Sequence, residues 1–222
     1  MNQTPTSRNF KRNTAGALVD EQLQRALSNV PAGFIDKRAK ARDKLPEFDA
    51  LRDQARDIKN HTLAHLDLYY EEYEAMVVAS GGQVHWCETA DDACKAVVDI
   101  CKSHSARTVT KGKSMVSEEM NLNAALSEAG VEPVETDLGE YIIQLRGETP
   151  SHIIAPAVHL NKDQIEADFR ATHTDLPPER NLEEGAALVY EARQILREKF
   201  IASDIGITGA NLLIAETGTS VI

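Results

Sequence analysis

A lysine- and serine-rich turn near the middle of the chain has the composition of a phosphate-binding site. The segment TVTKGKSMVSEEM, residues 108–120, contains the Gly112-Lys113-Ser114 triplet that ends a phosphate-binding loop. Such a loop also needs a glycine five positions before Gly112, and Arg107 stands there instead. We therefore do not expect a nucleotide-hydrolase loop in this chain.

The same turn is a candidate for simpler anion binding. Lys111, Lys113 and Ser114 follow a predicted strand at 107–110 and precede a predicted helix that begins near Glu118. The N–H groups at a helix N-terminus favour an anion such as a carboxylate or a cofactor phosphate. Lysines in a surface turn are also commonly just solvated, so both interpretations stay open.

Acidic residues near predicted helix starts form a second candidate group. The helix macrodipole stabilises negative side chains in a first turn, and this is a sufficient structural reason for their presence. The functional alternative is that they converge with Lys113 at the carboxyl ends of the strands and supply acid or base groups beside an anion. The residues concerned are Glu118, Glu119, Asp137 and Glu140.

Histidines supply two further candidates. His61 and His65 are four residues apart, which places both rings on one face of a helix and permits metal binding, although polar contacts with a sheet are the preferred interpretation. His159 follows the carboxyl end of a predicted strand at 151–155. It is therefore a better candidate for a catalytic base than His152, on position alone.

The last twenty residues contain one charged group in an apolar setting. Glu216 interrupts a predicted hairpin, formed by 212–215 and 220–222, where burying an unpaired charge is costly. We predict a catalytic role for Glu216, with Lys113 as its natural partner. Asn211, in the preceding Gly209-Ala-Asn turn, is a further candidate ligand-binding residue.

Hydrophobic periodicity predicts the elements that must position these side chains. Apolar residues at steps of three and four predict one long amphipathic helix from 46 to about 79. After residue 83, short apolar runs alternate with helices, a pattern typical of an α/β fold with a parallel sheet. The remaining predicted strands are 84–86, 132–136 and 204–207, and the remaining predicted helices begin at Thr89, Gly139, Asn161 and Asn181.

Charge is divided unevenly along the chain. Residues 1–45 carry nine Lys/Arg and four Asp/Glu, a net of +5, which leaves −16 for residues 46–222 out of a total of −11. We predict a partly helical basic arm over 1–45 that docks on the acidic body, 46–222, of its own or a neighbouring subunit in a homo-oligomer. Nucleic-acid binding is not expected, because it needs a cationic body.

Composition is that of an ordinary globular protein, with 42% hydrophobic and 27% charged residues. No apolar run reaches the length of a membrane span, and the polar start lacks a secretory stretch, so we expect a cytoplasmic protein. Cys87, Cys94 and Cys101 are seven residues apart, unlike a disulfide framework or CxxC pairs. Structural thiols are the expected role.

Six segments together resemble the LUD-domain family, which includes iron–sulfur proteins of lactate utilisation. The resemblance runs from about residue 50 to the last residue. Its segments are HTLAHLDLYYEEYE, GGQVHW, KGKSMVSEEMNLNAAL, ETDLGEYIIQL, PSHIIAPAVH and DIGITGANLLIAETGT.

The resemblance implies both a fold and a role. It implies a fold similar to the sugar-phosphate isomerases and coenzyme A transferases, and membership of a complex that oxidises L-lactate to pyruvate with other subunits. Electrons would pass through [4Fe–4S] clusters in a part beyond Ile222, which makes this chain a truncated one with no cofactor expected in it. The alternatives are a non-redox module that binds an anionic acyl or phosphate compound, and a scaffold subunit.

Overall fold

The computed structural model describes residues 6–151 and 155–222. Its residues cluster into two compact units. The first unit comprises Met1–Leu27 and Cys87–Gly209, and the second comprises Ser28–Trp86 and Ala210–Ile222. The predicted boundary at residue 45 between an arm and an acidic body stays a prediction.

Helices make up most of the described chain. In chain order they are α1 (Phe10–Val19), α2 (Glu21–Ser28), α3 (Asp36–Asp43), α4 (Phe48–Ala64), α5 (Leu66–Ala79), α6 (Ala90–Ser103), α7 (Met115–Glu119), α8 (Leu122–Glu128), α9 (Leu138–Arg146), α10 (Lys162–Thr172) and α11 (Gly185–Ala202). A 3-10 turn at Thr6–Asn9 and a π-helical turn at Pro31–Ile35 complete the N-terminal region. No helix among the described residues is long and apolar enough to cross a lipid bilayer.

The first unit is built on a small parallel sheet. Its strands are β1 (Thr108–Gly112), β2 (Glu132–Glu135) and β3 (Ile205–Thr208), in the order β2-β1-β3. All strands point the same way, so their carboxyl ends meet at one edge, where α/β folds commonly bind ligands. The predicted α/β class, with a parallel sheet flanked by helices, is confirmed.

Two apolar clusters hold the helices of the first unit on this sheet. In one cluster, Val134 of β2 packs with buried residues of α9, α10 and α11, such as Phe169 and Leu188. In the other, Val109 of β1 packs with residues of α6 and α8, such as Cys101 and Leu126. Because a core fixes both the central strand β1 and the edge strand β2, the side chains at their carboxyl ends have defined positions.

Two elements of the first unit begin as their capping residues predict. Thr89 and Asn161 each form a capping box with the residue three positions later, Asp92 and Gln164. These side chains satisfy otherwise free N–H groups of the first turn, which is why the helix starts are well defined by sequence.

The second unit contains α3, α4, α5 and a hairpin. The hairpin pairs β4 (Leu212–Ile214) with β5 (Thr219–Val221) in antiparallel fashion, as predicted, although the first arm is one residue shorter than predicted and the second begins one residue earlier. The Tyr73 hydroxyl of α5 lies 2.8 Å from the Ser220 hydroxyl of β5. Gly218, at φ +65°, turns close to the backbone of Val77, where a Cβ would lie 2.7 Å from its nitrogen.

Two predicted helices are in fact interrupted. The helix predicted from 46 to 79 is broken at His65, whose φ of −130° and ψ of 34° are not helical. The helix predicted to run from Glu118 to Ala129 is broken at Asn121, which adopts the left-handed conformation that asparagine tolerates. Apolar periodicity continues across both breaks, so the pattern alone did not indicate them.

Two predicted elements are not formed where they were expected, and a third lies mostly outside the described residues. Residues 84–86 are not a strand, because Trp86 instead packs on Tyr70 and donates a hydrogen bond to Glu74 at 3.0 Å. Asn181 does not begin a helix, because its side chain accepts from the Glu183 N–H and α11 starts only at Gly185. The strand predicted at 151–155 falls mostly outside the described residues.

Candidate acidic cleft at the sheet edge

Lys111 lies near the carboxyl end of β1, the central strand of the sheet. It is the fourth residue of β1 and is only 1% exposed. Its Nζ lies 2.7 Å from Glu135 Oε1 and donates a hydrogen bond to Ser117 Oγ at 2.9 Å. The lysine predicted to bind an anion is therefore engaged by a carboxylate of its own chain.

Glu135 faces Lys111 from the neighbouring strand. The two residues are partners in the parallel register of β1 and β2, and Glu135 is 3% exposed. Its Oε1 also accepts a hydrogen bond from Asn123 Nδ2 at 2.7 Å. Its Oε2 is buried and has no hydrogen-bond partner among the described residues. Such an atom is unusual, because buried polar groups are almost always satisfied.

The carboxylates of Glu118 in α7 and Glu140 in α9 lie close to the carboxylate of Glu135. Each of these carboxylates and that of Glu135 offers an oxygen atom, and the three atoms lie within 4.8 Å of one another. The Oε2 atom of Glu140 is also buried without a hydrogen-bond partner. Two of the three carboxylates thus have a buried, unsatisfied oxygen.

Mutual repulsion and burial change the acidity of this cluster. Burial, followed by the interactions with Glu135 and Glu118, raises the pKa of Glu140 to about 8. Burial also raises the pKa of Glu118, and the positive charge of Lys111 opposes that rise. The cluster therefore strongly disfavours three simultaneous negative charges in the absence of a further positive group.

The three carboxylates line a cleft of about 450 Å³. Residues of α7, α8, β2, α9 and the loop after α9 form its walls, including Ser117, Glu119, Asn123, Gln144 and Glu148. A volume of this size is in the range of small-molecule sites. The lining is strongly acidic, so an isolated anion is not electrostatically favoured there.

The glycine of the Gly-Lys-Ser triplet has a packing role. A Cβ on Gly112 would lie 2.6 Å from Thr136 Oγ1, which donates a hydrogen bond to the Lys111 carbonyl at 2.9 Å. Glycine therefore lets the turn after β2 approach β1. The resemblance to a phosphate loop has this local explanation.

Lys113 and Ser114 lie in the turn after β1, and Asp137 lies in the turn after β2, next to the cleft. Lys113 is exposed, has a φ of 59°, and forms an ion pair with Asp137. Ser114 caps α7 by accepting from the Ser117 N–H at 3.2 Å, and Asp137 caps α9 by accepting from the Gly139 N–H at 3.2 Å. None of the three is within the group of converging carboxylates, and their predicted anion binding stays a prediction.

His159 belongs to the periphery of the same unit. Its Nε2 lies 2.9 Å from Glu148 Oε2, and its Nδ1 contacts the Ser151 hydroxyl. Burial of Glu148 is outweighed by hydrogen bonds from His159 and Arg146, so the pKa of Glu148 is lowered. His159 thus reaches the cleft only through Glu148, which lines it. His152 lies outside the described residues.

The other predicted site residues belong to the second unit. Glu216 and Asn211 are exposed, Glu216 in the hairpin turn and Asn211 just before β4, where its N–H donates to the Val221 carbonyl at 2.7 Å. The rings of His61 and His65 are 4.8 Å apart, with His65 at the break between α4 and α5. Among residues 6–151 and 155–222, the converging metal-type ligands are the three glutamates and include no histidine.

The cysteines do not fit an iron–sulfur cluster, which needs four thiolates or their equivalents at one point. Cys94 and Cys101 are buried in the apolar core of α6, and burial raises the pKa of both thiols. Cys87 is exposed and precedes that helix. In the part of the chain that the structure describes, no cysteine joins a group of three or more possible ligands.

Glu135, Asn123 and Ser117 are site residues that the sequence did not indicate. Glu135 gives the one signal among the three, because a glutamate next to the apolar Val134 near the end of a predicted strand needs a partner if the fold buries it. Asn123 and Ser117 look like ordinary polar helix residues until the fold places them beside Lys111 and Glu135.

A comparison with known families matches the LUD domain to residues 70–222. The chain belongs to the LUD domain family. The match includes the whole of β1, α7, α8, β2 and α9, and therefore every residue of the acidic cleft of this LUD domain. No solved structure gave a significant match.

Relatives of this LUD domain are bacterial proteins named for lactate utilization or for electron transport. Lactate utilization protein B of Bacillus licheniformis is 40% identical over 211 residues, which cover 95% of this chain and 43% of that protein. Lactate utilization protein B of Bacillus subtilis is 39% identical over 215 residues, with the same two coverages of 95% and 43%. The uncharacterized electron transport protein YkgF of Escherichia coli is 37% identical over 210 residues, again covering 95% of this chain and 43% of the relative. The chain thus spans less than half the length of these relatives.

Proposed function

We propose that this LUD domain acts in the oxidation of L-lactate to pyruvate and that its acidic cleft is the site for the small molecule. The observation that carries the proposal is the 40% identity to a lactate utilization protein B over 95% of the chain. The cleft lies at the carboxyl edge of the parallel sheet, which is the usual place for ligands in such folds.

Binding of the small molecule and transfer of its electrons would take place in different parts of a larger assembly. Oxidation of L-lactate to pyruvate removes two electrons and two protons. The described cysteines do not fit a [4Fe–4S] cluster, so we assign no electron-transfer step to this chain and place any clusters in a part of the full-length protein that this chain does not cover. Other subunits of the assembly would then be its partners.

The buried Lys111–Glu135 pair supports a binding role for the cleft. Burying an ion pair gives weak stabilisation at best, because desolvation offsets the attraction. A fully apolar pair at these two register positions would serve stability at least as well. Glu135 lines the 450 Å³ cleft and Lys111 is paired with it, so the charged pair is better explained by ligand binding than by packing.

A non-redox ligand-binding module is the second candidate. The specific observation in its favour is that the described residues lining the cleft include no cysteine, and therefore no thiol for redox chemistry. Such a module would bind an anionic acyl or phosphate compound, together with a cation that offsets the acidic lining, without oxidising it.

Calorimetric titration separates the two candidates. L-lactate, pyruvate, phosphate and coenzyme A are titrated into the chain in buffers with and without a divalent cation. Binding of L-lactate or pyruvate that is lost in Lys111→Met supports the proposed function, provided that circular dichroism shows the variant folded. Binding of phosphate or coenzyme A alone supports the second candidate, and failure of all four ligands rejects the cleft as the small-molecule site.

A further inference from the structure

We propose that Glu118, Glu135 and Glu140 bind one divalent cation of the hard, oxygen-preferring class, such as Mg²⁺ or Mn²⁺. The site would lie at the floor of the acidic cleft, where α7, β2 and α9 meet. This inference does not depend on lactate being the substrate.

The spacing of the carboxylates fits a single cation. A hard cation holds its oxygen ligands at about 2.0–2.6 Å, so the ligands of one ion lie within about 4–5 Å of one another. The three glutamates offer oxygen atoms within 4.8 Å of one another. They come from three different elements, so their convergence does not follow from proximity in sequence.

One carboxylate of this cluster has a buried oxygen atom without a hydrogen-bond partner among the described residues. Glu135 has a side chain that is only 4% exposed, and its Oε1 is fully engaged by Lys111 and Asn123. Its Oε2 has no hydrogen-bond partner, and Glu135 lines the cleft. A buried carboxylate oxygen without a donor is costly. A cation beside it removes that cost, as it does for the unsatisfied Oε2 of Glu140.

The local charge favours a divalent ion. Three carboxylates and the ammonium group of Lys111 give a net charge of about −2 when all are ionised. One divalent cation neutralises this charge, whereas a monovalent cation leaves one negative charge uncompensated. Lys111 already supplies its single positive charge to this cluster, with its Nζ directed to Glu135 Oε1 and Ser117 Oγ.

A proton shared between Glu135 and Glu140 is the competing occupant. It would satisfy one oxygen of each carboxylate without any metal. A test with Mn²⁺ as the probe distinguishes the two occupants, because only a cation site gives saturable, stoichiometric binding.

The experiment follows Mn²⁺ binding by electron paramagnetic resonance and calorimetry at pH 7.5, after treatment with a chelator. We expect one site per chain, with affinity reduced at least about tenfold in Glu118→Gln and in Glu140→Gln. Glu119→Gln is the matched control, because Glu119 lines the same cleft, is exposed and lies outside the converging group. It should bind Mn²⁺ within twofold of the parent.

Three outcomes would overturn the proposal. They are no saturable binding at millimolar Mn²⁺, unchanged affinity in both Glu118→Gln and Glu140→Gln, and an equal loss in Glu119→Gln, which would indicate nonspecific attraction to an acidic surface. Circular dichroism and thermal unfolding without metal establish that each variant is folded. Because the readout contains no lactate, its failure is distinct from failure of the proposed function.

Discussion

Lys111 and Glu135 stand opposite each other in the register of two parallel strands, and their side chains form an ion pair of 2.7 Å from which water is almost excluded. This pair fixes the floor of the cleft, because Ser117 and Asn123 are hydrogen-bonded to its two members. A rigid charged floor of this kind can orient a ligand without reorganising when the ligand arrives.

Removing one member of this ion pair should strongly lower the free energy of unfolding. Lys111→Met leaves the carboxylate of Glu135 buried without its counter-ion, so we expect a loss of about 3–5 kcal/mol in the free energy of unfolding, measured by urea denaturation. Lys113→Met is the control, since the Lys113–Asp137 pair is exposed and should contribute less than about 1 kcal/mol. The double variant Lys111→Met/Glu135→Leu should recover most of the loss. Equal effects of the two single variants would contradict the structural role of the buried pair.

The loss of fold stability at low pH should come in part from protonation of Glu191. Burial opposes its ionisation, but hydrogen bonds from Arg180 and His173 outweigh burial and lower its pKa. Arg180 lies 2.6 Å and His173 2.7 Å from its two oxygens, and the Tyr141 hydroxyl lies 2.9 Å from the far side of the His173 ring. Glu191 is the buried acceptor of this whole network.

The sign of the pH effect follows from the lowered pKa. A carboxyl group with a lowered pKa stabilises the fold above its ordinary value of about 4.3, and that stabilisation is lost as the pH falls through the folded-state pKa. Glu191→Gln should therefore be less stable than the parent at pH 7, with the gap narrowing below pH about 4. Urea denaturation from pH 7 to below pH about 4 measures the difference in stability between Glu191→Gln and the parent. Glu198→Gln, an exposed change on the same helix, should show no such narrowing of the difference.

Gly209, just after β3, should not tolerate a side chain, because the backbone of Lys113 lies very close to it. A Cβ there would lie 2.1 Å from the carbonyl oxygen of Lys113, a backbone atom that cannot easily move. We expect Gly209→Ala to cost about 1–3 kcal/mol in the free energy of unfolding. Gly206→Ala is the matched control within β3, since the nearest neighbour of its Cβ would be Thr110 Oγ1 at 3.9 Å. Similar stability of the two variants would show that the turn can relax.

The sequence predicted the α/β class because strong local signals mark its elements. Thr89 and Asn161 define helix starts through capping boxes. The alternation of helices with short strand-like segments, such as those that form β1 and β2, indicates a parallel sheet. The register between those strands has no local signal, so the pairing of Lys111 with Glu135 was not predictable. The break at His65 was missed for a similar reason, since the apolar periodicity continues through it.

The acidic lining finally predicts that L-lactate binds this chain only together with a divalent cation. The cleft carries more negative than positive charge around Lys111, so a carboxylate alone is repelled. A cation held by Glu118, Glu135 and Glu140 keeps coordination positions for water, and the carboxylate and hydroxyl oxygens of L-lactate can replace two of those waters.

Titration calorimetry of L-lactate with Mn²⁺ or with a chelator present checks this dependence. We expect measurable binding only with Mn²⁺, its loss in Glu140→Gln, and its retention in Glu119→Gln, because Glu119 lines the cleft without joining the converging carboxylates. Equal binding of L-lactate in the chelator would place the lactate carboxylate on a group other than the cation. Lys113→Ala is then the variant to compare, since Lys113 carries the exposed positive charge of the adjoining turn and its pairing with Asp137 is open to solvent.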